Sequence, residues 1–373
     1  MSSAGLTLAV GRARAITSRS PHIKAKRRPG PATFAALAVL LLSACGGPDP
    51  LAPFTDSRIP PGLQHRFYPP DGWAWGLIKA EGAPAARYGV AAPPRRPRAD
   101  ILILASYGEP AEVWFETASD LNTKGYVVWI LEPIGQGGSG RYLPLRDLGH
   151  APSLTPDVQA AGALAARFIR RRPLILLAAR TSAPTALAAV EAGLPVDGLV
   201  LSSPSLEPDP PALRQESASR RSFGLGALRA TGGAGWRRDG PDDAVLGVTH
   251  DAQRARLRMA WQTANPDLRM GGPSWSWRAA FSDTAAMAAA GPVQRIDPPV
   301  LMLQPDSGAA QAKALCAKLR RCTLQSFGPA GPALPLEVDE VRRAWLAAVD
   351  AFVEADIARF SPPPAQARLA PEG

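Results

Sequence analysis

Histidine and cysteine are scarce in this chain of 373 residues, four and three respectively. No CxxC pair occurs, and no histidine lies near Cys316 or Cys322, so a structural zinc site has no ligand set; no metal and no cofactor is expected. No apolar run is long enough to cross a membrane, because the longest of its kind, Phe34 to Leu42, would span less than half of a bilayer core. No repeat of solenoid period is visible. Acids are missing before Cys45, and this explains a formal charge of +10. Arg12, Arg14, Arg19, Lys24, Lys26, Arg27 and Arg28 supply most of it, and the remainder of the chain keeps roughly +3, an ordinary value. With no helix-turn-helix, finger or aromatic-basic strand motif beside the charge, nucleic acid is excluded as a partner.

What is present first is an export signal. A basic stretch ends at Lys26-Arg27-Arg28, the apolar run follows, and Leu42-Ser43-Ala44-Cys45 resembles the lipobox of bacterial lipoproteins. The expectation is a signal peptide over 1–44, lipid on Cys45, a Gly-, Pro- and Asp-rich flexible spacer over 45–62, and a body held on a membrane in the bacterial cell envelope, facing the periplasm. A short N-terminal anchor with an incidental cysteine is the alternative, and twin-arginine export is weakened by Pro29-Gly30 after the arginines. In that oxidising compartment Cys316 and Cys322 form either a disulfide or two free thiols, since spacing does not set geometry.

Short apolar runs recur along the body: Ile101 to Ala105, Tyr126 to Leu131, Leu174 to Ala178, Leu199 to Ser202 and Val300 to Gln304. Near-continuous apolar strands are buried on both faces, which predicts a mostly parallel sheet flanked by helices. Helical patterns fit between them, over Ala111 to Thr123, from Thr155 as a cap to Arg170–Arg172, over Pro184 to Glu191, and over Glu337 to Ile357. The pattern divides the body into a core over 63–205, an Arg-rich cap insertion over 206–296 bearing Trp236, Trp261, Trp275 and Trp277, and a core over 297–360. A Pro- and Ala-rich tail, 361–373, is expected to be disordered. Ligands lie beyond the carboxyl ends of such strands, where this insertion would cover them; its tryptophans either line an acyl pocket or pack the cap on itself.

Ser106-Tyr107-Gly108-Glu109, Gly135-Gln136-Gly137-Gly138-Ser139-Gly140-Arg141 and Val196 to Pro204 each follow or contain a strand. With Thr249-His250-Asp251 and Ala264 to Trp277, they resemble the serine-aminopeptidase and lysophospholipase branch of the α/β-hydrolases, which includes monoacylglycerol lipases. The resemblance implies an α/β-hydrolase fold with a cap. It also assigns the GxGxxG of Gly135, Gly137 and Gly140 to a hydrolase loop rather than to a dinucleotide site.

The resemblance implies a catalytic triad whose positions here are degenerate. A serine hydrolase places its nucleophile on a strained elbow within GxSxG, and that motif does not occur. At the matching place stands Ala179-Arg180-Thr181-Ser182-Ala183, with Thr181 on the serine position and Ser182 as an alternative hydroxyl. Pro332 falls on the histidine position and cannot carry a proton. Asp306 is a remnant of the acid or a turn residue. Tyr107 and Ser182 would supply the oxyanion amides. His150 and His250 are the histidines that could approach from above, and Glu132 with Asp306 makes a carboxylate pair of unknown separation. Three functions follow as expectations: a non-catalytic pseudo-hydrolase binding a lipid (acyl ligand), peptide or protein partner; an ester hydrolase, lysophospholipase- or carboxylesterase-like, using Thr181 or Ser182; or a structural envelope protein with a filled pocket.

Overall fold

The computed structural model describes residues 49–169, 173–291 and 293–360. The signal peptide, Cys45, Arg170–Arg172 and the tail 361–373 lie outside the described residues. An eight-stranded sheet runs through the body: β1 (Ala74–Ile78), β2 (Ala86–Ala91), β3 (Ala99–Leu104), β4 (Tyr126–Leu131), β5 (Leu174–Ala179), β6 (Gly198–Ser202), β7 (Val300–Gln304) and β8 (Cys322–Ser326), in the spatial order β1-β2-β4-β3-β5-β6-β7-β8. β1, β2 and β4 pair antiparallel; every later pairing is parallel.

The alternation of a strand distributes the apolar runs over both faces. Leu102 and Leu104 of β3, and Leu174, Leu176 and Ala178 of β5, enter one core cluster; Ile101, Ile103, Ile175, Leu177 and Ala179 enter the other. Two helices cover the first face, α2 (Thr155–Phe168) with Ala160 and Leu164, and α3 (Ala183–Glu191) with Ala186 and Leu187. On the second face lie α1 (Phe115–Thr123), with Phe115 and Leu121, and α8 (Asp339–Phe360), with Trp345 and Val349. Each large aliphatic or phenylalanine side chain among these contributes roughly 1.5–3 kcal/mol by leaving water, so the sheet is held from two sides rather than by its edges.

Three local expectations change. Residues 111–114 open the first helix as a 3-10 turn before α1. Thr155 is the first residue of α2 rather than its cap, and the Ser153 hydroxyl accepts its N–H at 3.1 Å. The last helix begins at Asp339, two residues later than the apolar pattern suggests, because the Glu337 carboxylate is drawn inward to accept the N–H groups of Gly331 and Val338.

The expectation of a flexible spacer over 45–62 does not hold from Asp49 onward. Phe54 donates its N–H to the Gly138 carbonyl at 2.7 Å, and Leu51 accepts from the Arg141 N–H at 2.9 Å. Asn265 brackets the backbone of Arg58 with both side-chain amide groups. The Ser57 hydroxyl donates to Glu112 in a buried cluster where Arg87 binds Glu112 at 2.9 Å and Glu132 at 2.6 Å under the Trp75 ring. The composition of this segment is that of a spacer, but the body offers it an ordered set of partners.

The insertion between β6 and β7 carries α4 (Pro211–Ser222), α5 (Leu257–Ala264) and α6 (Trp275–Ala290). Arg254, 1% exposed, fastens it to the body: its guanidinium binds Glu116 of α1 at 2.7 Å and Asp339 of α8 at 2.7 Å, while Asp251 within the insertion holds it at 2.8 Å. Trp261 adds an edge-on contact with Phe115 at 5.5 Å. Between α7 (Ala309–Cys316) and β8, the sulfurs of Cys316 and Cys322 are bonded, with Cα atoms 5.4 Å apart.

Candidate functional site

The turn from β5 into α3 is one of two strained places at the strand ends, the other being Ser203 after β6, at φ 49°. The left-handed residue of the β5–α3 turn is Arg180, at φ 47°, a conformation that costs an L-residue roughly 1–2 kcal/mol. The expectation set Thr181 on the strained position; the strain lies one residue earlier. Ala178 and Ser182, not Ala179 and Ala183, then flank it as the small residues of the elbow. The Arg180 carbonyl accepts the Ser205 N–H at 3.0 Å and so braces the turn against the end of β6. Its guanidinium reaches Glu109 at 3.1 Å, a carboxylate that also accepts the Ser106 N–H.

The two candidate hydroxyls are both engaged. Thr181 Oγ1 accepts the N–H of Tyr107 at 2.8 Å, so the amide expected to stabilise an oxyanion already has an oxygen on it. Ser182 is buried; its Oγ accepts the Ala179 N–H and lies 2.8 Å from the Leu104 carbonyl and 2.9 Å from the Ala179 carbonyl. It ties β5 to β3. With the strain on Arg180, the amide that follows it in the elbow belongs to Thr181, one residue before the Ser182 amide expected to join Tyr107 as an oxyanion donor.

No imidazole meets these hydroxyls among the described residues. His150 is half-buried with Nδ1 3.0 Å from Ser274 Oγ, and burial pushes its pKa down. His250 is exposed, its Nδ1 3.0 Å from Glu337 Oε1. Glu337 also accepts the N–H of Gly331 at 2.7 Å, which fixes the loop that holds the half-buried Pro332. Asp306 is exposed on the turn after β7, where its N–H donates to the Gly328 carbonyl and its carboxylate faces Ser326 Oγ at 3.3 Å. The turn reading describes it. Glu132 makes no pair with Asp306, because it is wholly buried against Arg87 and accepts the Ala111 and Gly138 N–H groups. Among the described residues no group of three or more His, Cys, Asp or Glu side chains is placed to hold a metal.

Two cavities meet at Tyr107. One, about 30 Å³, is lined by Thr181, Ser182, Thr185, Glu132, Asp157 and Trp277; it suits a water or two and no acyl chain. Within its wall the Asp157 carboxyl accepts the Ile134 N–H at 2.7 Å, and burial raises its pKa to about 7. The other cavity, about 770 Å³, lies between the cap and the elbow, with Arg180, Trp236, Arg258, Met270 and Arg278 in its wall. Trp236 thus lines a ligand-sized space. Trp277, stacked on Phe281 and 4.3 Å from the Tyr107 ring, closes the small one; Trp261 and Trp275 are packed within the protein. Sequence reasoning missed Arg180 and Asp157. The arginine was in view, but alanines on both sides allow two elbow registers; nothing in the sequence marks Asp157 among other first-turn acids.

The family model described as serine aminopeptidase, S33, matches residues 95–310, more than half of the chain, and the protein belongs to that family of α/β-hydrolases. No curated protein matches. Among solved structures, a soluble variant of monoglyceride lipase from Saccharomyces cerevisiae superimposes with a TM-score of 0.58 at 14% identity, over 76% of this chain and 96% of that one. A monoacylglycerol lipase from Paleococcus ferrophilus gives 0.54 at 17% identity, over 72% and 98%, and an esterase from Thermogutta terrifontis 0.54 at 14%, over 76% and 99%. At these identities the likeness shows the fold, and function has to come from the site.

Proposed function

We propose that this protein is a non-catalytic member of its family, a pseudo-hydrolase that uses the elbow and the cavity above it to bind a ligand without turning it over. One observation carries the reading: an arginine occupies the strained elbow position at which the family presents its nucleophile. A guanidinium has no lone pair to give to a carbonyl carbon, and it keeps its proton throughout the physiological range. The neighbouring hydroxyl of Thr181 is committed to the Tyr107 amide, and a proline stands where the family's base belongs. Acyl transfer needs nucleophile, base and oxyanion donors together; each of the three is altered here.

The same reading places the protein on a membrane through lipid on Cys45, in the bacterial envelope and facing the periplasm. The Leu42-Ser43-Ala44-Cys45 sequence supports the anchor, and the disulfide of the body suits an oxidising compartment. Incorporation of an alkyne-palmitate label that disappears in Cys45→Ser is the expected result for the anchor.

The decisive assay treats the purified protein with a fluorophosphonate probe and with short- and long-chain esters, beside Thr181→Ala and Ser182→Ala. The expected result is no labelling and no turnover above background. Labelling abolished by either substitution would instead establish an ester hydrolase using that hydroxyl.

A further inference from the structure

The cavity above the elbow is rich in arginine. Four arginines line it, Arg180, Arg237, Arg258 and Arg278, with one lining carboxylate, Asp243, and each arginine is paired with an acid: Glu109, Asp239, Asp243 and Asp209 respectively. We infer that the protein binds an amphipathic acid here, a carboxylate or phosphate monoester with an apolar tail, its acid group on Arg180 and its tail along Trp236, Met259 and Met270. This rests on the reading of the elbow as a binding centre rather than a reacting one.

The arginines are positioned rather than neutralised out of use. Arg278 places Nε and Nη2 on Asp209 at 2.7 and 3.0 Å, and Arg258 places Nε on Asp243 at 2.8 Å and Nη2 near the Pro241 carbonyl at 3.3 Å. Arg237 is turned toward Asp239 at the exposed rim. Arg180 uses only Nη2, on Glu109; among the described residues its Nε and Nη1 meet no acceptor. A guanidinium offers five N–H donors in a planar fork, and one gripped from behind by a carboxylate is held with the rest facing forward, which is the geometry that recognises an oxyanion.

The elbow sets the direction. The left-handed backbone at Arg180 is the turn's own geometry, and it fixes how the side chain leaves the end of β5. Arg180 lines a space of about 770 Å³, enough for a small molecule of lipid-like or metabolite size. Beside the arginines and a glycine-rich stretch of backbone, Trp236, Leu246, Val248, Met259 and Met270 give the wall an apolar part, and the Trp236 ring is fixed by the Arg269 guanidinium at 4.2 Å and by its own Nε1–H on Gln262 at 2.9 Å. An acid with no apolar part would leave those side chains wet, and a neutral lipid would leave the spare N–H donors of Arg180 without an acceptor.

Calorimetric titration of the purified protein with hexanoate, hexyl phosphate and hexanol tests this. At least one of the two acids is expected to bind tenfold or more tightly than the alcohol, and the stronger of them identifies the acid group. Arg180→Gln should weaken that acid tenfold or more, with Arg258→Gln as a second variant should the first fail to fold. The surface substitution Arg320→Gln should bind as the parent does. Acids that bind no better than hexanol, or a folded Arg180→Gln that binds them as tightly as the parent, would overturn the inference and leave the non-catalytic reading standing. Fluorophosphonate labelling at Thr181 or Ser182 would overturn that reading itself.

Discussion

Thr181 Oγ1 and the backbone nitrogen of Tyr107 are 2.8 Å apart, joined by a hydrogen bond that seals the amide an ester oxyanion would need. The bond crosses from the turn after β5 to the segment after β3, so it is a structural tie as well as an occlusion.

Thr181→Val keeps the shape of the side chain and deletes the acceptor. A buried amide left without a partner costs about 1–3 kcal/mol, reduced here if a water in the adjoining cavity takes the proton. The expected outcome is a loss near the lower end of that range in urea melts, with faster hydrogen exchange at the Tyr107 amide. An unchanged exchange rate would show that the tie is not formed in solution.

Arg254→Met should be the costliest of these substitutions. Removing one partner from a buried ion cluster strands the others, and about 3–5 kcal/mol is typical; here Glu116 loses its principal cation, while Arg66 and Arg342, at 3.7 and 3.5 Å, compensate in part. Because the cluster joins the cap to α1 and α8, limited proteolysis should cut within residues 223–250 sooner than in the parent.

Asp157 makes stability fall as pH rises. Its folded pKa of about 7 lies above the ordinary aspartate value of 3.8, so between those two values the folded state holds a proton that the unfolded state has released, and the slope of stability with pH is negative there. The contribution is fully present below pH 4 and is gone above pH 7. Asp157→Asn should flatten this part of the profile, read as the difference in melting temperature between pH 5 and pH 8 against the parent.

Reduction of the Cys316–Cys322 bridge, or Cys316→Ser with Cys322→Ser, should lower stability by about 2 kcal/mol. Closing so short a loop, with a sequence separation of 6, removes little chain entropy from the unfolded state, and this is the size the loop-closure argument gives. Thermal melts with and without reductant check it, and free-thiol titration of the unreduced protein should find neither cysteine.

Much of the sheet was legible because its inner strands are continuous apolar runs whose limits coincide with burial on both faces. β4 and β7 begin and end where the residues turn apolar. β1 and β2 were not legible, for a physical reason. β1 is half exposed along most of its length, and β2 carries Arg87 and Gly89, whose places make sense only once Glu112, Glu132 and the Trp73 ring lie against them. The site was legible in its location and not in its register. The run Ala178-Ala179-Arg180-Thr181-Ser182-Ala183 has a small residue in every flanking place, and composition does not tell which residue between them bends backward. Family resemblance supplied a threonine because a hydroxyl is the chemically expected side chain, whereas backbone torsion selects the arginine.

The grip of the body on residues 51 to 58 sets the length of leash. Between Cys45 and the clamped Leu51 only Gly46 to Pro50 intervene, and six fully extended steps reach roughly 20 Å. If acyl chains hold that cysteine at a bilayer, as proposed, the leash is short, and Leu51 can stand no farther than about 20 Å from the anchored residue.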